Sequence, residues 1–318
     1  MPNKSIHKFI TALLIFFALL ICMQPKIHSD SHKNGILTSG LLADTLITEI
    51  KNDSSKALTY INFNPASAAM NSVLSQSKAF QLGENLQFKI RYGIVKAGEA
   101  EMKVLTLTEY NNQKVYHIQT RARSVPSFDW IYRVRDEVNS FIDHYGLYPI
   151  RFEKKLREGS YKADLFVDYF HSDSLARVEA IRYEKNMSIR NRKTSQIKIP
   201  PYVNDILSAF YLVRNQELET GNSLYILTNE NDKVYDLEVK IYRKEVVQVE
   251  AGTFRCFYIE PLLQGEGIFK QKGRLKVWLS DDQYKIPIQM TSEVLIGHIT
   301  TELVKIKGIE LPLPSQLK

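Results

Sequence analysis

Residues 233–250, KVYDLEVKIYRKEVVQVE, set Tyr235, Leu237, Val239 and Ile241 at alternate positions, with Asp236, Glu238, Lys240 and Tyr242 between them. Successive side chains of a strand point to opposite faces, so this alternation predicts a strand with one buried and one wet side. The pattern recurs from about Phe80 onward. GENLQFKIRYGIVKAGEAEMKVLTLTEY reads as strand, turn near Lys96-Ala97-Gly98, and strand. Its apolar phase slips from Val104 to Leu105, which predicts a bulge or a strand buried on both faces. YHIQTRARS, IYRVRDEVNSFID, YPIRFEKKLREG, SYKADLFVDYF and VEAIRYEK continue the series. Turn residues at Asn111-Asn112, His144–Gly146, Gly159 and His171–Ser174 give it the spacing of an antiparallel meander. NSLYILTNE, TFRCFYIEPLL, GIFKQKGRLKVWLSDD, YKIPIQMTSEVL and GHITTELVKIKG carry it through the second half.

One segment breaks the period. Pro200-Pro201 stops the preceding strand, and Asn204 or Asp205 can cap VNDILSAFYLVRN. There Ile206, Phe210 and Val213 share a face, with Leu207 and Tyr211 beside it. The expected fold is mainly β: a large curved antiparallel sheet, as a half-open barrel or sandwich, with one packed helix at about 203–215 and an N-terminal signal helix. The expected divisions are residues 1–23 as a signal peptide or signal anchor, 24–78 as a flexible lead-in with a short helix near Ala66–Leu74, and 79–310 as the β domain. Two related halves, 79–199 and 216–310, are one reading of that domain. SFIDHYGLYPIRF and WLSDDQYKIPIQM are the basis for that, since the interval from Asp143 to Pro149 equals that from Asp281 to Pro287.

Lys4, His7 and Lys8 precede an uncharged run from Phe9 to Met23. That is the order of a secretory signal, and the run is shorter than the roughly 20 residues of a spanning helix. Export to the periplasm is expected, with tethering by the N-terminal segment as the alternative to cleavage. No A-x-A pattern marks the cleavage site, and Ile21 before Cys22 disfavours lipidation. Cys256 is the other cysteine, and with Cys22 removed no intramolecular disulfide can form. The net charge of +7 is too mild to imply nucleic acid. The denser stretch Arg182, Lys185, Arg190, Arg192, Lys193 and Lys198 reads as a solvated loop or hairpin edge.

Chemistry-bearing motifs are sparse. His28 and His32 are the one histidine pair at ligand spacing, and they lie in the lead-in without further ligands, so no metal site is expected. The chain has no G-x-S-x-G elbow and no phosphate-cradling G-x-x-x-x-G-K-[ST], and Gly265 and Gly267 read as a β-turn. No cofactor is expected. Asp136 shares a strand face with Val134, Val138 and Ile142, so it needs a partner once buried, and Arg133, Arg135, Lys155 or Arg214 could supply one. Glu158 reads as a solvated turn residue and Asp205 as a helix cap. Phe128 and Trp130 in SVPSFDWIY read chiefly as a wedge into the core, with a loop at a cavity mouth as the alternative.

FQLGENLQFKIRYGIVKAGEAEM, YRVRDEVNSFIDHYGLYPIRFEKKLREGSY, PPYVNDILSAFYLVRN, VEAGTFRCFYIEP and KVWLSDDQYKIPIQM together resemble the domain-of-unknown-function 3108 family of bacterial envelope proteins. The resemblance covers about Phe80 to Gly308. It implies an envelope location and carries over no functional residue. More loosely, the Asp–turn–Pro hairpins are similar to those of periplasmic lipoprotein carriers, half-open barrels in which helices plug an apolar concavity. The expected function is a non-catalytic binding module for a lipid, a lipid-linked molecule or a glycan. The alternatives are a structural or interaction component of an envelope assembly and, more remotely, a carboxylate-dependent glycan hydrolase. The expected partners are such a ligand or an envelope protein, with membrane contact only through the N-terminal segment. Asp136, Trp130, Phe128, Tyr161, Phe210 and Tyr211 are the expected ligand-binding residues, and no catalytic or metal-binding residue is expected.

Overall fold

A computed structural model describes residues 59–61, 79–264, 274–293 and 297–318. The expected signal segment, the helix expected near Ala66–Leu74, the His28/His32 pair, Cys22 and the turn expected at Gly265–Gly267 lie outside the described residues.

The alternating segments form one open sheet. The first meander is β2 (Asn85–Tyr92), β3 (Val95–Tyr110), β4 (Gln113–Ser124), β5 (Arg135–Asp143), β6 (Pro149–Glu158), β7 (Tyr161–Phe170), β8 (Leu175–Tyr183) and β9 (Ile189–Lys198). The second is β10 (Ser223–Glu230), β11 (Lys233–Val249), β12 (Gly252–Gln264), β13 (Leu275–Ser280), β14 (Pro287–Glu293) and β15 (His298–Lys307). Antiparallel pairing of β15 with β2 fuses the two, so the strand order runs β10 to β15 and then β2 to β9. The short β1 (Thr59–Tyr60) adds in parallel to β10, and β16 (Gln316–Leu317) pairs with β12. The phase slip is a bulge: the β3–β4 register shifts between Val104 and Thr106. Arg190, Arg192, Lys193 and Lys198 lie on the exposed edge strand β9, which satisfies the hairpin-edge reading.

Among the described residues two α-helices interrupt the strands. The one-turn α1 (Pro126–Asp129) links β4 to β5. The expected helix is α2 (Ile206–Arg214), capped by Asp205, whose carboxylate accepts the Leu207 and Ser208 N–H groups. Ser140 Oγ donates to the same carboxylate at 2.6 Å, which ties the cap to β5. The sheet wraps around α2. Lys154 of β6 reaches Glu230 of β10 at 3.2 Å, and the Tyr169 hydroxyl of β7 donates to Asn229 of β10 at 3.1 Å. These strands meet across the interior through side chains while the sheet stays open.

Arg214, at the C-terminal end of α2, is fully buried and forms a bidentate pair with buried Glu84 at 2.7 and 2.8 Å. It also donates to the Ala79 and Tyr284 carbonyls, so one guanidinium joins the helix, the entry to β2 and the β13–β14 hairpin. The two Asp–turn–Pro hairpins differ by one residue. Asp143 Oδ1 accepts the Tyr145 and Gly146 N–H groups, but in the second half Asp282 takes this role toward Tyr284 and Lys285. Asp281, the residue at equal spacing, pairs instead with Lys244 at 3.0 Å. The hairpins close through Asp143 N–H to Tyr148 and Ser280 N–H to Ile286, so the second turn is one residue longer.

Candidate functional site

The turns after β2, β4, β6, β8 and β10 all emerge at one rim of the sheet, as the antiparallel registers require. Asp136 is the second residue of β5 and Glu158 the last of β6, so both lie close to this rim. Their side chains face the interior and are almost fully buried. Asp136 Oδ1 accepts the Arg157 backbone N–H at 2.7 Å, and Oδ2 is buried without a hydrogen-bond partner. None of the expected cations pairs with it. Arg135 binds Asp129, Lys155 lies near Glu137 and Glu153, Arg214 holds Glu84, and Arg133 forms no salt bridge among the described residues. Side-chain alternation turns the flanking arginines to the opposite face from Asp136.

Glu158 is the larger correction: it is buried, bridged to Val134 through its backbone, and sits beside Asp136 rather than in solvent. Burial pushes the Asp136 carboxyl up to about 7. Burial and then the neighbouring Asp136 charge push Glu158 up to about 8, with Lys154 and Arg182 acting the other way. Two carboxyls close together in a low-dielectric wall cannot both ionise cheaply, so near neutral pH the pair holds a proton it can donate. Two tyrosines border the pair. The Tyr132 ring lies over Gly159, where a Cβ would come within 2.9 Å of it, so that turn requires glycine. The Tyr161 ring stacks beneath the Arg182 guanidinium at 3.5 Å. Burial and the nearby carboxyls raise the Tyr132 hydroxyl pKa.

An apolar cleft of about 80 Å³ opens between α2 and the second meander. Ile206, Leu207, Ala209, Phe210 and Val213 form its helical side, which includes the Ile206, Phe210 and Val213 face that periodicity picked out, and Leu237, Val239 and Val277 are among the residues of the facing strands. Met102 of β3 completes it from the first meander. Every lining side chain is apolar, and Phe210 and Ile206 are half-buried. Leu237, Pro261 and Leu275 stand near the ends of their strands at the rim that bears Asp136 and Glu158. Met102 pairs with Thr120 and Thr120 with Val138, which puts Asp136 two strands and one inward row away, on the order of 12 Å.

The six expected ligand residues therefore divide among several places. Asp136 and Tyr161 meet at the carboxyl pair, and Phe210 lines the cleft. Tyr211 turns away from the cleft, edge-on to Phe80 with ring centroids 4.9 Å apart. Phe128 is half-buried on α1, and Trp130 is 82% exposed, against its reading as a core wedge. Glu158 and Lys154 were missed although the signal was present: in PIRFEKKLRE they alternate with Ile150, Phe152 and Leu156 and so share the buried face. A second groove, of about 540 Å³, crosses the outer face of β2 to β5. Asp136 is among its lining residues, and the groove's outward-facing charges pair through Lys89–Glu250, Arg121–Glu137 and Arg123–Glu99. No group of three or more His, Cys, Asp or Glu side chains able to hold a metal ion occurs among the described residues.

Cys256 is fully buried, as expected of a small core residue, and burial pushes its thiol up to about 12. That removes it as a nucleophile at neutral pH.

No curated protein matches the chain. Among solved structures it is similar to a β-barrel-like protein of domain of unknown function DUF1849 from Brucella abortus, at 12% identity and a TM-score of 0.45, covering 72% of this chain and 98% of that one. It is also similar to a protein with a YmcC-like fold from Bacteroides fragilis, at 10% identity and a TM-score of 0.32, covering 71% and 96%. The family model described as protein of unknown function (DUF3108) matches residues 87–304, and the chain belongs to that family.

Proposed function

We propose that this chain is a non-catalytic envelope binding module for an amphipathic, lipid-linked molecule. The observation that carries this reading is the apolar cleft beneath α2, which approaches the same rim as the buried Asp136–Glu158 pair. The cleft takes the end of an acyl chain: about 80 Å³ holds only a few methylene groups. Asp136 and Glu158, with Tyr132, Tyr161 and Arg182 around them, offer hydrogen bonds and a cation to the polar part of the ligand. An apolar pocket with a few converging polar groups is the general form of a small-ligand site. An exported, periplasmic location is part of the proposal and rests on the basic-then-apolar N-terminal sequence.

Native mass spectrometry of the purified chain, together with titration of a fluorescent fatty-acyl probe, tests it. A copurified lipid is expected, and Phe210→Arg should abolish probe binding while the circular dichroism spectrum is unchanged. Absence of any copurified lipid, with probe binding indifferent to Phe210→Arg, overturns the reading.

A further inference from the structure

The rim that bears the carboxyl pair also carries exposed apolar side chains at the tips of its connections. Ile94, in the β2–β3 turn, is 90% exposed, and Val95 follows it, also exposed. Trp130 and Ile131, just after α1, are exposed too. The two groups are neighbours: the Val125 N–H at the start of α1 donates to Ala97 of β3 at 3.1 Å, and α1 packs on β3. Farther along the same rim, the β8–β9 turn presents Met187 and Ile189. A water-facing tip gains nothing from isoleucine or tryptophan, and apolar surface gathered in one place marks a contact. These side chains stand on projecting turns, and none of them lines either of the two pockets described. That shape suits a soft, planar partner better than a protein that must be complementary to it.

Charge supports the same partner. Beside the apolar tips the carboxylates are paired, Asp129 with Arg135 and Glu184 with Arg190, while Asp232 in the more distant β10–β11 turn is exposed and forms no salt bridge among the described residues. The exposed Arg133 and Lys185 form no salt bridge among the described residues and remain to face an anion. Tryptophan flanked by isoleucine and by cations is the side-chain set that resides at a membrane–water interface. We propose that this rim docks on an anionic lipid surface, with Ile94, Val95, Trp130 and Ile131 entering the interface and Arg133 and Lys185 meeting headgroup phosphates. This adds a membrane contact to the one expected from the N-terminal segment, and it brings the apolar cleft close to the lipid surface. It does not depend on the ligand reading, because the docking residues and Phe210 are different sets.

The chain's two tryptophans make the test specific. Trp278 lies in the middle of β13, with its indole N–H on Glu245, so W278F leaves Trp130 as sole reporter and W130F leaves Trp278. Full-length protein is mixed with vesicles of phosphatidylethanolamine and phosphatidylglycerol, with and without brominated acyl chains. Trp130 emission is expected to shift blue and to be quenched by the bromines, and Trp278 emission to stay as it is. The N-terminal segment is identical in both proteins and cannot produce that difference. I94D and R133E should each weaken the Trp130 response roughly tenfold, the size of removing one interfacial contact. If W278F does not fold, the unaltered chain is compared with W130F instead. A Trp130 signal that stays unshifted and unquenched overturns the proposal, as does an equal response to vesicles of phosphatidylcholine alone. A concentration-dependent dimer abolished by I94D, with no response to vesicles, would assign the patch to a second copy of the chain.

Discussion

Asp136 and Glu158 occupy positions where the β5 and β6 patterns call for apolar residues, and their burial has a thermodynamic consequence. Both carboxyls are raised well above their unfolded values. The stability they contribute is therefore complete below the ordinary carboxylate range and is lost as pH rises through their folded values, near and above neutrality. Each unit of displacement corresponds to about 1.4 kcal/mol, so ionising either carboxyl costs the fold a few kcal/mol. Asp136→Asn keeps an acceptor for the Arg157 N–H and supplies a donor beside Glu158. It should match the unaltered chain in urea stability at about pH 5 and exceed it by about 2 kcal/mol at about pH 9. Glu158→Gln should act in the same direction, and the double variant should gain less than the sum of the two. Parallel stability–pH curves for D136N and the unaltered chain would show that the pair does not titrate in this range. Arg214 behaves oppositely, because its partner is buried with it. Arg214→Met strands the Glu84 carboxylate and should cost about 3–5 kcal/mol in urea unfolding, and Glu84→Gln added to it should restore much of that loss.

The elements were legible wherever one rule decided the outcome. Period-two alternation located the long strands, the slip at Val104–Leu105 marked its bulge, and Asp205 after Pro200-Pro201 set the start of α2. Reading failed where two rules competed. SVPSFDWIY is dense in apolar residues, and that density suggested core, yet Pro126 opens a single helical turn that lifts Trp130 out of the sheet. Lys154 and Glu158 follow the same alternation that placed Asp136, but for Glu158 its charge and the following glycine suggested solvent. The two hairpins show a limit of letter spacing: equal intervals matched Asp281 to Asp143, and the longer second turn gives the role to Asp282. Within α2, Leu207 and Phe210 both line the cleft but differ in burial. Leu207 is fully buried, and Leu207→Ala should cost about 2–5 kcal/mol in urea unfolding. Phe210 is half-buried over the cleft, so Phe210→Ala should cost clearly less while enlarging the cleft. Equal losses at the two positions would mean that Phe210 is packed as tightly as Leu207.

Taken as a whole, the sheet is long enough to curl but does not close, and this leaves it with strand edges to protect. At the β10 end, β1 adds in parallel. At the other end, β9 pairs with β8 along one side only, and its other side carries no strand among the described residues. Interior contacts bring β6 and β7 to β10, and α2 fills the space between, so backbone pairing across the opening is replaced by side chains such as Lys154–Glu230 and Tyr169–Asn229. An unpaired edge is a template for pairing with another chain, and charged side chains are the usual safeguard. Arg190, Arg192 and Lys193 serve that purpose here: all three are on β9, and the bulk of its side chains are exposed. Two copies brought edge to edge in antiparallel fashion would set these cations against one another, at a cost of several like-charge contacts. Replacing Arg190 and Arg192 by Val and Lys193 by Thr keeps β-propensity and removes the repulsion. The triple variant should form concentration-dependent oligomers, measured by size-exclusion chromatography with light scattering, above the level of the unaltered chain. High salt should promote association in the unaltered chain by screening the cations and leave the triple variant nearly indifferent. A triple variant that stays at the unaltered chain's oligomeric state would show that something other than charge guards the β9 edge.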